Sequence, residues 1–321
     1  MTERPAGADP RYPSPLRYPG GKGRIANFLK LVFLDNDLLG AEYVEPYAGG
    51  ASVALSLLYE DYASHIHIND IDRSVYSFWY AVLHHTDELC ARIQNTNPTV
   101  AEWRRQRALQ EVDDIDIVDL AFSTFMLNRV NRSGILNGGV IGGYHQQGPW
   151  KIDARYNTYD LIPRIEKVAR FRTRITLTNH DAGDMLTALT DESQDRALVY
   201  LDPPYFVKGT DLYENHYNHD DHVAVGELIA SLTHPWIVSY DRAPEIEAIY
   251  RDHKSISYSL SYSAQNRYQG SEMMFFSPGL VLPDALSPAN IPSAVVRAVQ
   301  RDERPPISAY HSRSRPARSK Q

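Results

Sequence analysis

The residues that could do chemistry fall in four short stretches. The densest is Asp202-Pro203-Pro204-Tyr205, directly behind the apolar run Ala197 to Leu201. The run reads as a buried strand and the motif as the rigid polar turn that ends it. Two prolines fix φ and contribute no N–H, so the carbonyls of the turn stay free to accept hydrogen bonds. A carboxylate in front and an aromatic behind frame a small polar pocket, suited to an exocyclic amino group on a flat ring. Taken alone, the four residues fit an ordinary strand-terminating turn equally well.

The other three stretches would hold a ligand. Tyr18-Pro19-Gly20-Gly21-Lys22-Gly23 joins glycines, which admit close backbone approach, to a lysine that supplies a point charge for a carboxylate or phosphate. It lacks phosphate-loop spacing, and no strand precedes it. Tyr43 to Ser52, with Glu45, Tyr47 and Gly49, reads as strand, glycine turn and helix. Ligands of doubly wound sheets sit at such strand ends. The dinucleotide fingerprint is absent, and Glu45 ahead of the turn would repel a pyrophosphate. His67-Ile68-Asn69-Asp70-Ile71-Asp72 places acids at the tip of a second strand, where one could take ribose hydroxyls and either could cap a helix.

These turns need a scaffold. Strands are expected at 41–45, 65–69, 174–179, 198–201, 236–240, 255–262 and 273–277, with helices at 51–58, 71–83, 159–171 and 185–189. Their alternation predicts an α/β fold with a mostly parallel sheet. Between 87 and 127 the pattern turns mainly helical. From Leu127 to Asn157 it is rich in Gly, Asn and aromatics and reads as loops and a hairpin.

Composition narrows the setting. The 321 residues carry a net charge of −7 and 43% hydrophobic side chains, with no apolar run long enough to span a bilayer. One cysteine, Cys90, excludes an intramolecular disulfide and a cysteine metal cluster, and no metal site is expected. It reads as a structural thiol in a helix, and the expected compartment is a reducing cytoplasm. Between residues 121 and 175 nine Lys/Arg face three Asp/Glu, a local basic field suited to a polyanion despite the acidic total.

In this order and at these distances, YPGGK, EPYAGG, NDID and DPPY resemble the adenine-specific DNA methyltransferases whose target-recognition region lies between the cofactor motifs and DPPY. NRVNRSGIL, GPWKIDARYN and FFSPG extend the resemblance over roughly residues 16 to 280. It implies a Rossmann-like AdoMet-dependent sheet with an inserted helical and hairpin DNA-binding region. The implied division is a mobile 1–15, a catalytic domain of 16–83 and 172–285, an insert of 84–171 and a basic, disordered tail of 286–321.

By the same resemblance S-adenosyl-L-methionine (AdoMet) is the cofactor. Tyr18 and Lys22 would contact it, Lys22 at its carboxylate. Glu45, Tyr47 and Gly49 would lie under its methionine part, and Asp70 would accept its ribose hydroxyls. Asp184 would approach its adenine, with Asp181 as the competing choice. Asp202, Pro203, Pro204 and Tyr205 would be catalytic, Asp202 also touching cofactor and Tyr205 stacking on the target ring. Arg129, Asn131, Arg132, Gln146, Lys151 and Arg155 would contact double-stranded DNA. The sequence departs from the family where Tyr47 replaces a Phe, Ala51 replaces a second glycine and Tyr18 replaces a common Trp. The chemistry would be direct transfer to the N6 amino group of a flipped adenine. The resemblance also fits a bacterial, archaeal or phage origin and a cognate restriction endonuclease, with no membrane and no obligatory protein partner. DPPY is similar as well to the NPPY of glutamine and RNA-base methyltransferases, whose motif order differs; cytosine N4 and a catalytically silent DNA-binding protein are the remaining alternatives.

Overall fold

The computed structural model describes residues 13–18, 21–191, 196–206, 217–261, 269–285, 287–303 and 310. Residues 1–12, Pro19, Gly20 and half of the 286–321 tail lie outside them, as do the expectations that fall there; within the tail expected to be disordered, Ser293–Val299 form a helix that buries Val295 and Val296 in the core.

Seven strands form one sheet: β1 Glu42–Glu45, β2 His65–Asn69, β3 Ile175–Thr178, β4 Ala197–Leu201, β5 Trp236–Asp241, β6 Lys254–Ser261 and β7 Gln269–Phe276. Their order is β3-β2-β1-β4-β5-β7-β6. The five strands from β3 to β5 run parallel, while β7 pairs antiparallel with both β5 and β6. Every residue of β4 and β5 is buried, as expected of strands covered on both faces. Alternation then sorts their side chains. Leu198 and Tyr200 of β4 and Ile237 of β5 enter one apolar core, whereas Val199, Leu201, Trp236, Val238 and Tyr240 enter the other.

Helices fill the two faces. The first core takes in α1 Ala26–Asp35, α2 Ser52–Tyr59 and α3 Arg73–His84. It continues without a break into α4 Thr86–Asn95, α5 Val100–Gln110, α6 Ile117–Val130 and α7 Thr158–Arg170. Phe78 of α3 stacks on Phe125 of α6 at 6.0 Å. The acidic run before α6 supplies its cap: Asp116 accepts from Val118 and Asp119 N–H. Helices α8 Ala182–Asp191 and α9 His219–Ser231 cover the second core through Leu186, Leu189, Val225 and Ile229. Cys90, in α4, is half-buried, and burial pushes its thiol up to about 11, which disfavours the thiolate.

The glycine-rich stretch after α6 is built mainly from turns and two single-turn 3-10 helices, Arg132–Gly134 and Ile152–Arg155. Its hairpin character reduces to one antiparallel bridge, Asn131 with Val140. Repeated glycines and few β-branched side chains leave little to pair across a ladder.

From β1 the chain proceeds to β2 and β3 on one side, and β4 and β5 lie on the other. The β1/β4 boundary is therefore the switch point of the sheet. In open α/β sheets a crevice opens there, beyond the strand ends. Glu45 closes β1 and Asp202 follows β4, so the two carboxylates stand at that crevice.

Candidate active site

A cavity of about 1130 Å³ opens at this switch point, lined among others by Tyr18, Lys22, Glu45, Tyr47, Gly49, Asp70, Asp181 and Asp202. The turn after β1 forms one wall. Gly49 has φ +47, and a Cβ there would meet the Tyr18 ring at 2.7 Å, so glycine lets that ring lie flat on the backbone. Its carbonyl accepts from Trp79 Nε1 at 2.9 Å and its N–H donates to Asp70 Oδ2 at 2.8 Å. Ala51 stands in the left-handed region at φ 46, where the family pattern has glycine.

The two acids of the second strand tip have separate tasks. Asp72 caps α3, accepting from Ser74 N–H at 2.7 Å. Asp70, 8% exposed, accepts from Gly49 and Asp72 N–H and lines the cavity. Burial, with the neighbouring Asp72 charge, pushes its carboxyl up to about 7.

Glu45 is buried too, and burial pushes it up to about 8. Its Oε1 accepts from Tyr43 OH at 3.1 Å, while Oε2 receives no hydrogen bond from the described residues. A buried polar atom without a partner is rare and costly. At the base of a cavity it fits a ligand that brings hydroxyl or ammonium donors, as AdoMet does. Tyr47 sits beside it, its hydroxyl 3.1 Å from that of Tyr217.

Asp202, also lining the cavity, is held by a buried polar network. Lys22 Nζ donates to Asp202 Oδ1 at 2.6 Å, and Ser239 OH donates to the same oxygen at 3.0 Å. Asp202 Oδ2 receives no hydrogen bond from the described residues, and 20% of the side chain stays exposed. Lys22 also donates to Tyr205 OH at 2.8 Å and lies 3.8 Å from Glu272 Oε2. Glu272, 1% exposed on β7, accepts from Tyr205 OH at 2.6 Å and Tyr258 OH at 2.8 Å. Burial opposes charge on Lys22, but Asp202 and Glu272 outweigh it and raise its pKa, so it stays an ammonium. Burial also lifts Asp202 above the usual carboxylate range, with Lys22 opposing.

Lys22, expected at the cofactor carboxylate, lines the cavity and is paired there with Asp202. Two cofactor and catalytic expectations change here. Tyr205, expected to stack on the target ring, is 3% exposed and does not line the cavity. Its ring lies under the Lys22 ammonium at 4.8 Å and its hydroxyl serves the network. Asp184 is exposed in the first turn of α8 and does not reach the cavity, whereas Asp181, just before the helix, does.

The insert residues divide. Asn131 is fully buried: Oδ1 accepts from Trp103 Nε1 at 2.7 Å, and Nδ2 donates to the Ile135 and Leu136 carbonyls. Its donors hold the turn and its oxygen holds Trp103, so the side chain is turned inward, away from solvent. Gln146 likewise spends its amide on the Ile141 and Gly143 carbonyls and on Ile152 N–H. Arg129 is drawn in to the Arg155 carbonyl at 2.8 Å, and burial beside Arg17 and Arg164 lowers its pKa to about 9. Arg132, Lys151 and Arg155 are exposed.

Sequence reasoning missed Glu272, Ser239, Tyr258 and Asn128. A lone acid directly before the apolar run Met273 to Phe276 was the available signal for Glu272. Asn128 clamps the chain around Arg17, accepting from its N–H at 2.8 Å and donating to its carbonyl at 2.6 Å.

No curated protein matches the chain. Among solved structures, PH1948 from Pyrococcus horikoshii aligns at 9% identity and TM-score 0.40, covering 82% of this chain and 88% of that one. The rRNA methyltransferase aviRa from Streptomyces viridochromogenes aligns at 14% identity and TM-score 0.32, covering 77% and 83%. The family model described as D12 class N6 adenine-specific DNA methyltransferase matches residues 18–264, and the chain belongs to that family.

Proposed function

We propose that this chain methylates the N6 amino group of an adenine flipped out of duplex DNA at specific sites, with Asp202 as the residue that activates the amine. Family membership makes AdoMet the methyl donor and DNA adenine methylation the activity. The finer reading rests on one observation: Asp202 stands at the cavity with Oδ1 anchored by Lys22 and Ser239 and Oδ2 without a donor from the described residues.

When bound, AdoMet supplies an electrophilic methyl group on a sulfonium. Glu45, Tyr47, Gly49, Asp70 and Tyr18 are the residues that would hold it, since all line the cavity. Adenine N6 is a weak nucleophile because its lone pair is delocalised into the ring. Asp202 Oδ2 and the Pro203 carbonyl would each accept one of its N–H bonds, drawing the nitrogen toward tetrahedral geometry. The anchored Oδ1 fixes where Oδ2 points, so positioning and electrostatics carry the acceleration. An adenine inside a duplex cannot reach such a cavity, and flipping it costs a few kcal/mol.

The test is methylation of duplex DNA followed by nucleoside mass spectrometry. N6-methyladenine from wild type and none from Asp202→Ala is the expected result, with AdoMet affinity within about tenfold, ~1.4 kcal/mol. Methylation confined to RNA or protein offered in parallel, N4-methylcytosine as product, or an undiminished variant would each defeat the reading.

A further inference from the structure

We propose that Trp150 contacts DNA directly, stacking on a nucleobase; this rests on the duplex-DNA reading above. Three of the four tryptophans are buried: Trp79 at 0%, Trp103 at 3% and Trp236 at 1%. Trp150 is 69% exposed, and Tyr144 in the same loop is 58% exposed. Leaving an indole in water forgoes the burial that large apolar side chains ordinarily gain.

The loop presenting it is built, not slack. Gln146 ties its interior through Ile141, Gly143 and Ile152, and Gly148 N–H donates to the Gly142 carbonyl at 3.2 Å. Gly142, at φ +84, leaves room for the Trp150 carbonyl, which a Cβ there would meet at 2.7 Å. Lys151 Nζ closes the turn on the Gln146 and Gly148 carbonyls while remaining exposed. A pinned backbone that holds an indole in solvent is preorganised for a partner.

The chemistry of that partner follows from the neighbours. Lys151 adjoins Trp150, and exposed Arg155 and Arg132 belong to the same segment. Aromatics interleaved with cations suit nucleic acid: the charges meet phosphates and the ring stacks on a base of any identity. The chain enters this loop from the turn Gly134 to Asn137, which lines the active-site cavity.

Duplex affinity, its salt dependence and tryptophan emission together test this. Trp150→Ala is expected to weaken duplex binding about tenfold or more with AdoMet affinity unchanged, and Trp150→Phe to keep most of it. The slope of log affinity against log salt should be unaltered, because an indole neutralises no phosphate; Arg155→Ala should lower that slope by about one. Duplex should quench the emission of wild type and leave that of Trp150→Phe nearly constant. Equal duplex affinity for wild type and Trp150→Ala would overturn the inference while leaving the DNA reading intact. A wild type that binds no duplex would overturn both. Self-association lost in Trp150→Ala, with duplex affinity unchanged, would assign the ring to a second copy of the chain instead.

Discussion

At the scale of single residues, the site is organised by charge buried at low exposure. Lys22 serves Asp202, Glu272 and Tyr205 together. Replacing it by Met leaves two acids without their cation, and breaking a buried pair in this way typically costs ~3–5 kcal/mol. Urea denaturation of Lys22→Met should show that loss, and methylation should fall with it; an unchanged midpoint would remove Lys22 from its central place. Glu45 and Asp70 make a second expectation. Their folded pKa values, about 8 and about 7, lie above the ordinary 4.5 and 3.8. Between those limits the folded state holds protons that the unfolded state has released. Their contribution to stability is therefore full below the ordinary values and is lost as pH rises through the folded ones. Urea midpoints at pH 5 to 8 should decline more steeply in wild type than in Glu45→Gln without cofactor. Parallel profiles would show that Glu45 is not held protonated.

At the scale of elements, glycine positions decide which segments touch. Gly134, at φ +81, faces the Arg17 carbonyl so closely that a Cβ would meet it at 2.3 Å. Asn128 grips the same carbonyl. The NRVNRSG stretch is thus a receptacle for the segment leading to Tyr18, and through Tyr18 it supports the cofactor-side wall. Gly134→Ala should undock that segment, at roughly 1–3 kcal/mol in stability, with weaker AdoMet binding by calorimetry. Retained stability and affinity would show the docking to be dispensable. The alternation of strands and helices was legible because buried parallel strands and amphipathic helices leave periodic patterns. The expected hairpin was not, since its glycines favour turns whose closure depends on contacts far along the chain.

Across the whole molecule, an acidic chain of net charge −7 carries a basic stretch at residues 121–175, joined to the catalytic sheet by one continuous core. Duplex binding should accordingly weaken as salt rises, by about 0.9 log units per log unit of salt for each phosphate contacted. Asn131→Ala separates structure from reading. It should lower thermal stability by ~1–3 kcal/mol, the cost of unpaired buried groups, without changing the methylated sequence. A changed site preference would return Asn131 to a reading role.

The sequence by itself determined the α/β alternation, the four motifs and their order, and hence the family; these are local patterns of polarity, proline and glycine that survive without coordinates. Asp202-Pro203-Pro204-Tyr205 could be named from the chain, but its partners could not. Glu272 lies 70 residues from Asp202 in the sequence, and only the β5-β7-β6 end of the sheet brings it beneath Lys22. Tertiary structure alone also decided that Tyr205 and Asn131 face inward. Side-chain type fixes what a group can bond, whereas burial and the neighbours supplied by distant strands fix what it does bond.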